Sequence, residues 1–269
     1  MSELTDLGRF TAAVADGFAG DDVRSAEVST AFLTQQGVRH TGRGRGYRNH
    51  VLSLRVEDAV GSCAVEPGEL ADVPVEDIAG TSVQQLLQHP RAAVRIAALD
   101  AYLMWKYPHR EHGAELVVDR GSSLQKSLQR AEFVVDLVPP GTRRVLVVGV
   151  VNSLLQRLRE RGIDYVPCDR KGGRTEWGEP VRPDGLPELD RCDAVLATGM
   201  LAGNGTFDPL LARCRDTGTP LVLFAQTASA VLPRFRDAGV TAVSAEPYPF
   251  FWLDGGATST YRYTREDVR

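Results

Sequence analysis

The sequence predicts an α/β protein in which a Rossmann-like parallel-sheet domain follows a smaller α+β domain. Two observations predict this fold class. After Pro139-Pro140-Gly141, short apolar runs alternate with helical patterns, which is typical of a parallel sheet covered by helices. Before that point, alternating strand patterns are followed by helical runs, which is typical of antiparallel strands packed on helices. We therefore predict two domains, residues 1–138 and 139–269.

The elements of the first domain follow from hydrophobic periodicity. The helical pattern is predicted at residues 4–18 and 81–107, the latter with a break near His89-Pro90, and strands are predicted at residues 26–35 and 51–65. Residues 116–137 are predicted to hold the helix that joins the two domains.

The second domain is predicted to repeat a strand followed by a helix. Its strands are predicted at residues 144–148, 163–166, 194–198, 221–224 and 242–244, with helices at 153–161, 207–216 and 230–238. The stretch after Trp252 has no pattern that places it. In sheets of this kind ligands bind outside the carboxyl ends of the strands, so the strand ends are the place to look for a site.

Composition excludes several classes of function. The net charge of -4 argues against nucleic-acid binding, and no apolar run approaches the roughly twenty residues of a membrane span. The N-terminus lacks the apolar core of a secretory signal. The four cysteines form no CxxC pair, which indicates reduced thiols in a cytoplasmic protein and no structural zinc. We expect a small-molecule partner, and the sequence leaves a homo-oligomer open.

The segment DAVLATGMLAGNGTFDPLL carries the most functional information. Thr198 and Gly199 end an apolar strand, and Asn204, Gly205 and Thr206 stand just before a helix. Glycines let a backbone approach a ligand closely, and the amides at a helix start favour an anionic or carbonyl group. The alternative is a well-capped helix with Thr206 as its N-cap, and both interpretations stay open.

Two further strand ends carry candidate ligand contacts. VLVVGVVNSLL contains Gly149 and Asn152 but falls short of GxGxxG, which disfavours a nicotinamide cofactor. Asn152 is either a ligand contact or the cap of the next helix. Asp169 follows the second strand at the position from which an acid accepts hydrogen bonds from a ribose diol. The alternative is an exposed turn residue.

Gln226 and Thr227 end the fourth strand and are predicted to face the same crevice as the preceding groups. The basic stretch with Arg43, Arg45 and Arg48 could clamp an anion, and a solvated hairpin loop is the alternative. The HxxH spacing in PHREHG is suited to a metal only on a helix, whereas the flanking proline and glycine favour a loop. We assign no metal ligands.

Several segments resemble a known family. VLVVGVVNSLLQRLRERGIDY, LDRCDAVLATGMLAGNGTFDPLLA and LVLFAQTASAVLPRFRDAGVTAVSA are similar to the strand–helix units of the Rossmann-like "putative heavy-metal chelation" domain, which has a TG…NGT loop. AGTSVQQLLQHPRAAVRIAALDAYL resembles the end of the enolase-N-terminal-like domain that precedes it. The resemblance implies a ligand site between two domains. The chain departs from the family at Ala225-Gln226-Thr227, where a Gly-Pro-Ser turn is usual, and at Asp169, which follows a cysteine.

Three functions remain open. The first is an enzyme that uses an adenosine-containing cosubstrate such as S-adenosylmethionine, as a lyase, cyclase or alkyl transferase, with Tyr47, His40 or His50 as the base. The alternative is a metal-binding or metal-chelate-processing protein of the family without catalysis, which would make a divalent metal the ligand. A structural or regulatory interaction protein is the third, with the exposed arginines and aromatic residues 248–252 as its contacts.

Overall fold

Two β-sheets organise the chain. The structure is a computed structural model that describes residues 5–44, 46–248 and 255–264. The smaller sheet is antiparallel with the order β1-β2-β3. Its strands are β1 (Val28–Val38), β2 (Tyr47–Val56) and β3 (Ala59–Val65).

Four helices belong to the same half of the chain. They are α1 (Leu7–Ala15), α2 (Val83–Leu87), α3 (Ala92–Lys106) and α4 (His109–His112). A capping box at Ser82 and Gln85 starts α2. The largely buried α3 packs on the small sheet so closely that a Cβ at Gly61 would stand 1.8 Å from the backbone nitrogen of Ala101. Only glycine lets β3 approach the helix at that point.

The larger sheet has seven strands in the order β4-β10-β9-β8-β7-β5-β6. They are β4 (Ala114–Val118), β5 (Arg144–Val148), β6 (Asp164–Cys168), β7 (Ala194–Thr198), β8 (Leu221–Ala225), β9 (Val240–Ala245) and β10 (Thr258–Tyr263). The five strands β5 to β9 pair in parallel, and β10 pairs antiparallel with both β9 and β4. The predicted fold class is confirmed. The parallel strands follow the flavodoxin-like order 2-1-3-4-5.

Both faces of the large sheet are covered. The covering helices are α5 (Ser123–Val135), α6 (Asn152–Glu160), α8 (Phe207–Thr217) and the 3-10 helix Leu232–Ala238. The short helix α7 (Leu201–Asn204) lies between α8 and the first half of the chain. Successive residues of a strand point to opposite faces. Val145 and Val147 accordingly pack in one apolar cluster with α5 and α6, whereas Leu146 joins a second cluster with α8, the 3-10 helix and the first half of the chain.

Several predicted elements were wrong. Residues 116–137 hold the end of β4 as well as α5, and the unplaced C-terminal stretch contains β10. Residues 230–238 were predicted as an α-helix and contain a 3-10 helix from Leu232. The strands β4 and β10 were missed because few residues of either strand are fully buried. A polar-looking strand gives little hydrophobic signal.

The predicted domain boundary at residue 138 stays a prediction. Two elements that precede it, β4 and α5, belong to the large sheet and to the helical layer on it. One apolar cluster runs from α1 and the small sheet into one face of the large sheet. Within the described ranges, no helix is long and apolar enough to span a membrane.

Candidate functional site

The ends of β5 and β7 meet at the point where the order of the parallel strands reverses. The chain leaves β5 for β6 on one side and leaves β7 for β8 on the other, which opens a crevice between them. Gly149 follows β5 with φ +90°, and a Cβ there would stand 2.5 Å from Thr198 Cγ2. Its N–H donates to the Cys168 carbonyl at 2.8 Å. The structure therefore brings Gly149 and Thr198 together, as predicted.

Asp169 lies at the adjoining end of β6. Its Oδ1 accepts from the backbone N–H of Lys171 at 3.0 Å, and its Oδ2 lies 3.5 Å from the nitrogen of Val150. The carboxylate therefore reaches from the end of β6 to the loop that follows β5. Asp169 is half-buried, so it is neither a fully exposed turn residue nor sealed from a ligand.

Asn152 is the first residue of α6, beside this loop. It does not cap the helix: the N-cap is Val151, which has no side-chain acceptor. The Oδ1 atom of Asn152 is buried and has no hydrogen-bond partner among the described residues. Buried amide oxygens normally accept a hydrogen bond. An acceptor without a partner and the free amides of an uncapped helix start thus lie at the same strand end.

The predicted glycine loop divides into two parts. Thr198 and Gly199 lie at the strand end, but the next residues form the helical turn α7, which packs on α3 and β3. A Cβ at Gly203 would stand 2.5 Å from Cys63 Sγ in β3. The loop prediction was wrong because four residues are too few to show helical periodicity.

The NGT residues bond to one another and to the loop after β6, where Arg170 Nη1 donates to the Asn204 carbonyl at 3.4 Å. The Asn204 Oδ1 atom accepts from Thr206 N at 3.1 Å and from Thr206 Oγ1 at 2.6 Å, which is a local turn. Gly205 has φ +77°, and Thr206 makes no side-chain cap bond to α8. Thr206 is the N-cap residue of α8 by position, as the alternative predicted, but its hydroxyl donates to Asn204 and not to the helix. No bond joins these three residues to Asp169 among the contacts described.

The end of β8 lies close to both neighbours. A Cβ at Gly199 would stand 2.3 Å from the Thr227 carbonyl oxygen, so the two strand ends are in contact. Thr227 is buried, whereas Gln226 donates through Nε2 to Glu246 Oε2 at 2.9 Å. Gln226 is thereby directed towards the end of β9.

Glu246 and Arg130 were missed by the sequence reasoning. The buried Glu246 carboxylate follows β9 and accepts from Arg130 Nε at 2.6 Å and Nη2 at 2.5 Å. Such a two-pronged pair fixes both side chains. Glu246 stands directly after an apolar strand, so applying the strand-end rule to the fifth parallel strand would have found it.

A hairpin arm extends from the small sheet to the large one. We define the arm as residues 36–44 and 46–49, where β1 and β2 continue beyond the last pair with β3, His50 with Val65. Three residues of the arm contact the large sheet and the elements around it. Gln36 accepts from Tyr248 OH at 3.0 Å, His40 Nδ1 lies 2.9 Å from Ser123 Oγ, and Arg43 pairs with Glu176. These partners lie after β9, at the start of α5 and beyond β6.

The three predicted bases are separated by the alternation of strand faces. His40 and Tyr47 pack edge to face with ring centroids 6.0 Å apart. His50 lies three residues after Tyr47 on a regularly paired strand and therefore on the opposite face. Burial, together with the charge of Arg43, lowers the pKa of His40, and burial raises the pKa of Tyr47.

The basic stretch is bound within the protein. Arg43 pairs with Glu176 at 2.5 Å and also donates to Gln156 on α6. It is therefore neither a free anion clamp nor part of a solvated loop. Arg48 is exposed, and Arg45 lies outside the described residues, as do residues 249–252 of the aromatic stretch.

The HxxH pair was predicted on a loop and instead forms the short helix α4. His109 is buried, with Nδ1 2.7 Å from Tyr263 OH and Nε2 3.2 Å from Ser229 Oγ. Burial lowers the pKa of His109 to about 3, so the ring is neutral. Both nitrogens have partners, which leaves neither for a metal. Throughout the described ranges, no group of three or more His, Cys, Asp or Glu side chains could hold a metal ion.

Comparison with known proteins shows that part of this sheet is similar to a known family. Residues 134–245 match the family model described as "Putative heavy-metal chelation", DUF364. The DUF364 match covers this part of the chain, which holds the parallel strands β5 to β9. The match begins near the end of α5 and runs to the last residue of β9, so it contains the five parallel strands and stops one residue before Glu246. No curated protein matches the sequence.

Two solved DUF364 structures have the same fold. A protein of unknown function from Desulfitobacterium hafniense DCB-2 is 16% identical, with a TM-score of 0.55 over 88% of this chain and 86% of that chain. A protein of unknown function from Pyrococcus horikoshii is 15% identical, with a TM-score of 0.59 over 94% of this chain and 98% of that chain. At this level of sequence identity, the similarity shows a shared fold over both halves of the chain and does not indicate a shared ligand.

Proposed function

We propose that this protein is a small-molecule enzyme that binds an adenosine-containing cosubstrate, such as S-adenosylmethionine, at the ends of β5, β6 and β7. One observation carries the proposal: the Asp169 carboxylate lies at the end of the second parallel strand, 3.5 Å from the nitrogen of Val150 in the loop after the first. An acid at that position accepts hydrogen bonds from a ribose diol.

The remaining groups fit the polar ends of such a cosubstrate. The free amides at the start of α6 are donors for a carboxylate, and the unpartnered Asn152 Oδ1 is an acceptor for an ammonium or amide N–H. The ribose diol and the ammonium group each need a hydrogen-bond acceptor, and the carboxylate needs a donor. The strand ends supply that combination.

His40 is the base that we propose. The lowered pKa of His40 keeps its imidazole neutral near pH 7, and with Nδ1 beside Ser123 Oγ its Nε2 is the nitrogen left to take a proton. The raised pKa of Tyr47 keeps that phenol protonated, and its ring packs edge to face on His40. His50, on the opposite face of β2 from Tyr47, has no part in this proposal. A lyase, cyclase or alkyl transferase would need this orientation and proton transfer.

The experiment is calorimetric titration of the full chain with S-adenosylmethionine, adenosine nucleotides and a panel of divalent metals. Asp169→Asn is the test variant, and Asp164→Asn is its matched control because Asp164 is exposed at the opposite end of the same strand. We expect Asp169→Asn to weaken adenosyl binding at least tenfold and Asp164→Asn to leave it unchanged.

Equal binding by both variants would contradict the proposal. Binding of a metal alone, unaffected by Asp169→Asn, would favour the non-catalytic metal-binding alternative. Turnover is tested separately by following the consumption of bound S-adenosylmethionine in the wild type and in His40→Gln, with His50→Gln as the control.

A further inference from the structure

Arg234 is a half-buried cation that has no ion-pair partner among the described residues. It lies in the 3-10 helix Leu232–Ala238, on the face of the large sheet opposite α5 and α6. Its Nε is buried and has no hydrogen-bond partner, and among the described residues no carboxylate lies within the 4.0 Å of an ion pair. Removing a guanidinium from water without a partner is unfavourable. This arginine therefore needs an anion more than most surface arginines do.

The surroundings of Arg234 are aromatic and positively charged. Its guanidinium lies 4.1 Å from the ring centroid of Tyr107, and the guanidinium of Arg236 lies 5.4 Å from the ring of Tyr263. Arg236 donates through Nη1 to the Thr264 carbonyl at 2.9 Å and through Nε to the Pro233 carbonyl at 3.2 Å. His112 packs edge to face on Tyr107, with centroids 5.6 Å apart. Burial and the charge of Arg236 lower the pKa of Arg234, as expected where cations gather.

We propose that Arg234 and Arg236 form a binding site for a small oxyanion, a phosphate or carboxylate group, beside Tyr107. Stacking on a ring leaves the edge of the guanidinium free to donate two parallel hydrogen bonds, which match the oxygens of either group. Arg236 adds a second positive charge. The site does not share a residue with the strand ends of β5, β6 and β7, so it stands independently of the proposed enzymatic function.

The test is calorimetric titration of the full chain with inorganic phosphate and, separately, with succinate. We expect saturable binding of at least one probe, at least tenfold weaker in Arg234→Lys, which keeps the charge but loses the planar donor edge. Arg191→Lys is the matched control because the Arg191 side chain is 74% exposed. Preference for phosphate or for succinate identifies which oxyanion the site takes. Arg236→Lys serves as a second variant if Arg234→Lys does not fold.

Three results would overturn the proposal. One is that neither probe binds the wild type. Another is that the variants at 234 and 236 bind as tightly as the wild type. The last is binding that emerges only in a Glu266→Gln, Asp267→Asn double variant, which would assign the site to carboxylates of the chain itself.

Discussion

Asp100 and Ala230, which are 130 positions apart, are joined by a 2.7 Å hydrogen bond from the Ala230 N–H to the buried carboxylate. The other oxygen of Asp100 accepts from the N–H of Ser62 at 2.8 Å. One side chain of α3 therefore holds both β3 and the segment that follows β8. The Ser62 carbonyl in turn accepts from Ala228, which has φ +53°, so this segment is fixed in an unusual conformation.

Replacing Asp100 with alanine is expected to destabilise the fold. Asp100→Ala leaves buried N–H groups without acceptors, at about 1–3 kcal/mol for each group. Urea unfolding should show a loss of about 3 kcal/mol or more in the free energy of unfolding, against less than about 0.5 kcal/mol for the exposed Asp58→Ala. A loss no larger than that of Asp58→Ala would show that Asp100 does not connect the two halves.

The same carboxyl group predicts a pH dependence of stability. Burial raises the pKa of Asp100 to about 7, against an ordinary value of 3.8. The folded state therefore binds this proton more tightly than the unfolded state, and the contribution to stability falls as the pH rises from about 4 to about 7. We expect the free energy of unfolding of the wild type to fall over this range relative to that of Asp100→Asn. This prediction would be contradicted if the free energies of unfolding of the two proteins changed in parallel with pH.

We expect replacement of Gly149 to destabilise the fold for two separable reasons, its backbone conformation and its close contact with Thr198. Gly149→Ala combines a positive φ with a Cβ placed 2.5 Å from Thr198 Cγ2, whereas Gly141→Ala has a similar φ of +82° and nothing within 4 Å. Thermal unfolding should show Gly149→Ala to be the less stable by about 1–3 kcal/mol. Adding Thr198→Ser, which removes the methyl group, should recover part of that difference. Equal stability of the two alanine variants would exclude the clash.

We expect the attachment of the arm to the large-sheet part of the chain to depend on Arg43. The Arg43 and Glu176 side chains are only 17% and 16% exposed, so loss of this pair frees the tip of the arm from the large-sheet half. Hydrogen exchange in residues 36–49 should quicken several-fold in Arg43→Ala. It should not change in Arg48→Ala, an exposed arginine on the opposite face from Tyr47. Global stability should fall by no more than about 1 kcal/mol. Unaltered exchange in Arg43→Ala would mean that other contacts hold the arm.

The sequence predicted those parts of the fold that have a strong local hydrophobic signal. β5 and β7 were predicted to the residue because each is a short apolar run buried on both faces. β10 reads TSTYRY, and its place in the sheet depends on pairing with β4 and β9, which no local pattern reveals.

The sequence predicted the residues of the candidate site that directly follow a strand, and it did not predict the long-range pairs. Gly149, Asp169 and Thr198 follow from the rule that ligands lie at strand ends, and the structure places them together. The bond between Arg130 and Glu246 spans 116 positions, and that between His40 and Ser123 spans 83. Contacts at such separations are set by how α5 and the arm pack. Spacing within a single segment cannot indicate them.

The antiparallel strand β10 determines the order in which the large sheet can be completed. β4 precedes all other strands of this sheet in the chain, yet its neighbour is β10, with Ala114 opposite Arg262. During synthesis, the segment 114–118 therefore has no partner in the sheet until residues 258–263 have emerged from the ribosome. Until then, β4 has an unpaired, valine-containing edge with which another nascent chain could pair. In a chain truncated before residue 258 this edge would stay unpaired, so we expect such a chain to aggregate more readily.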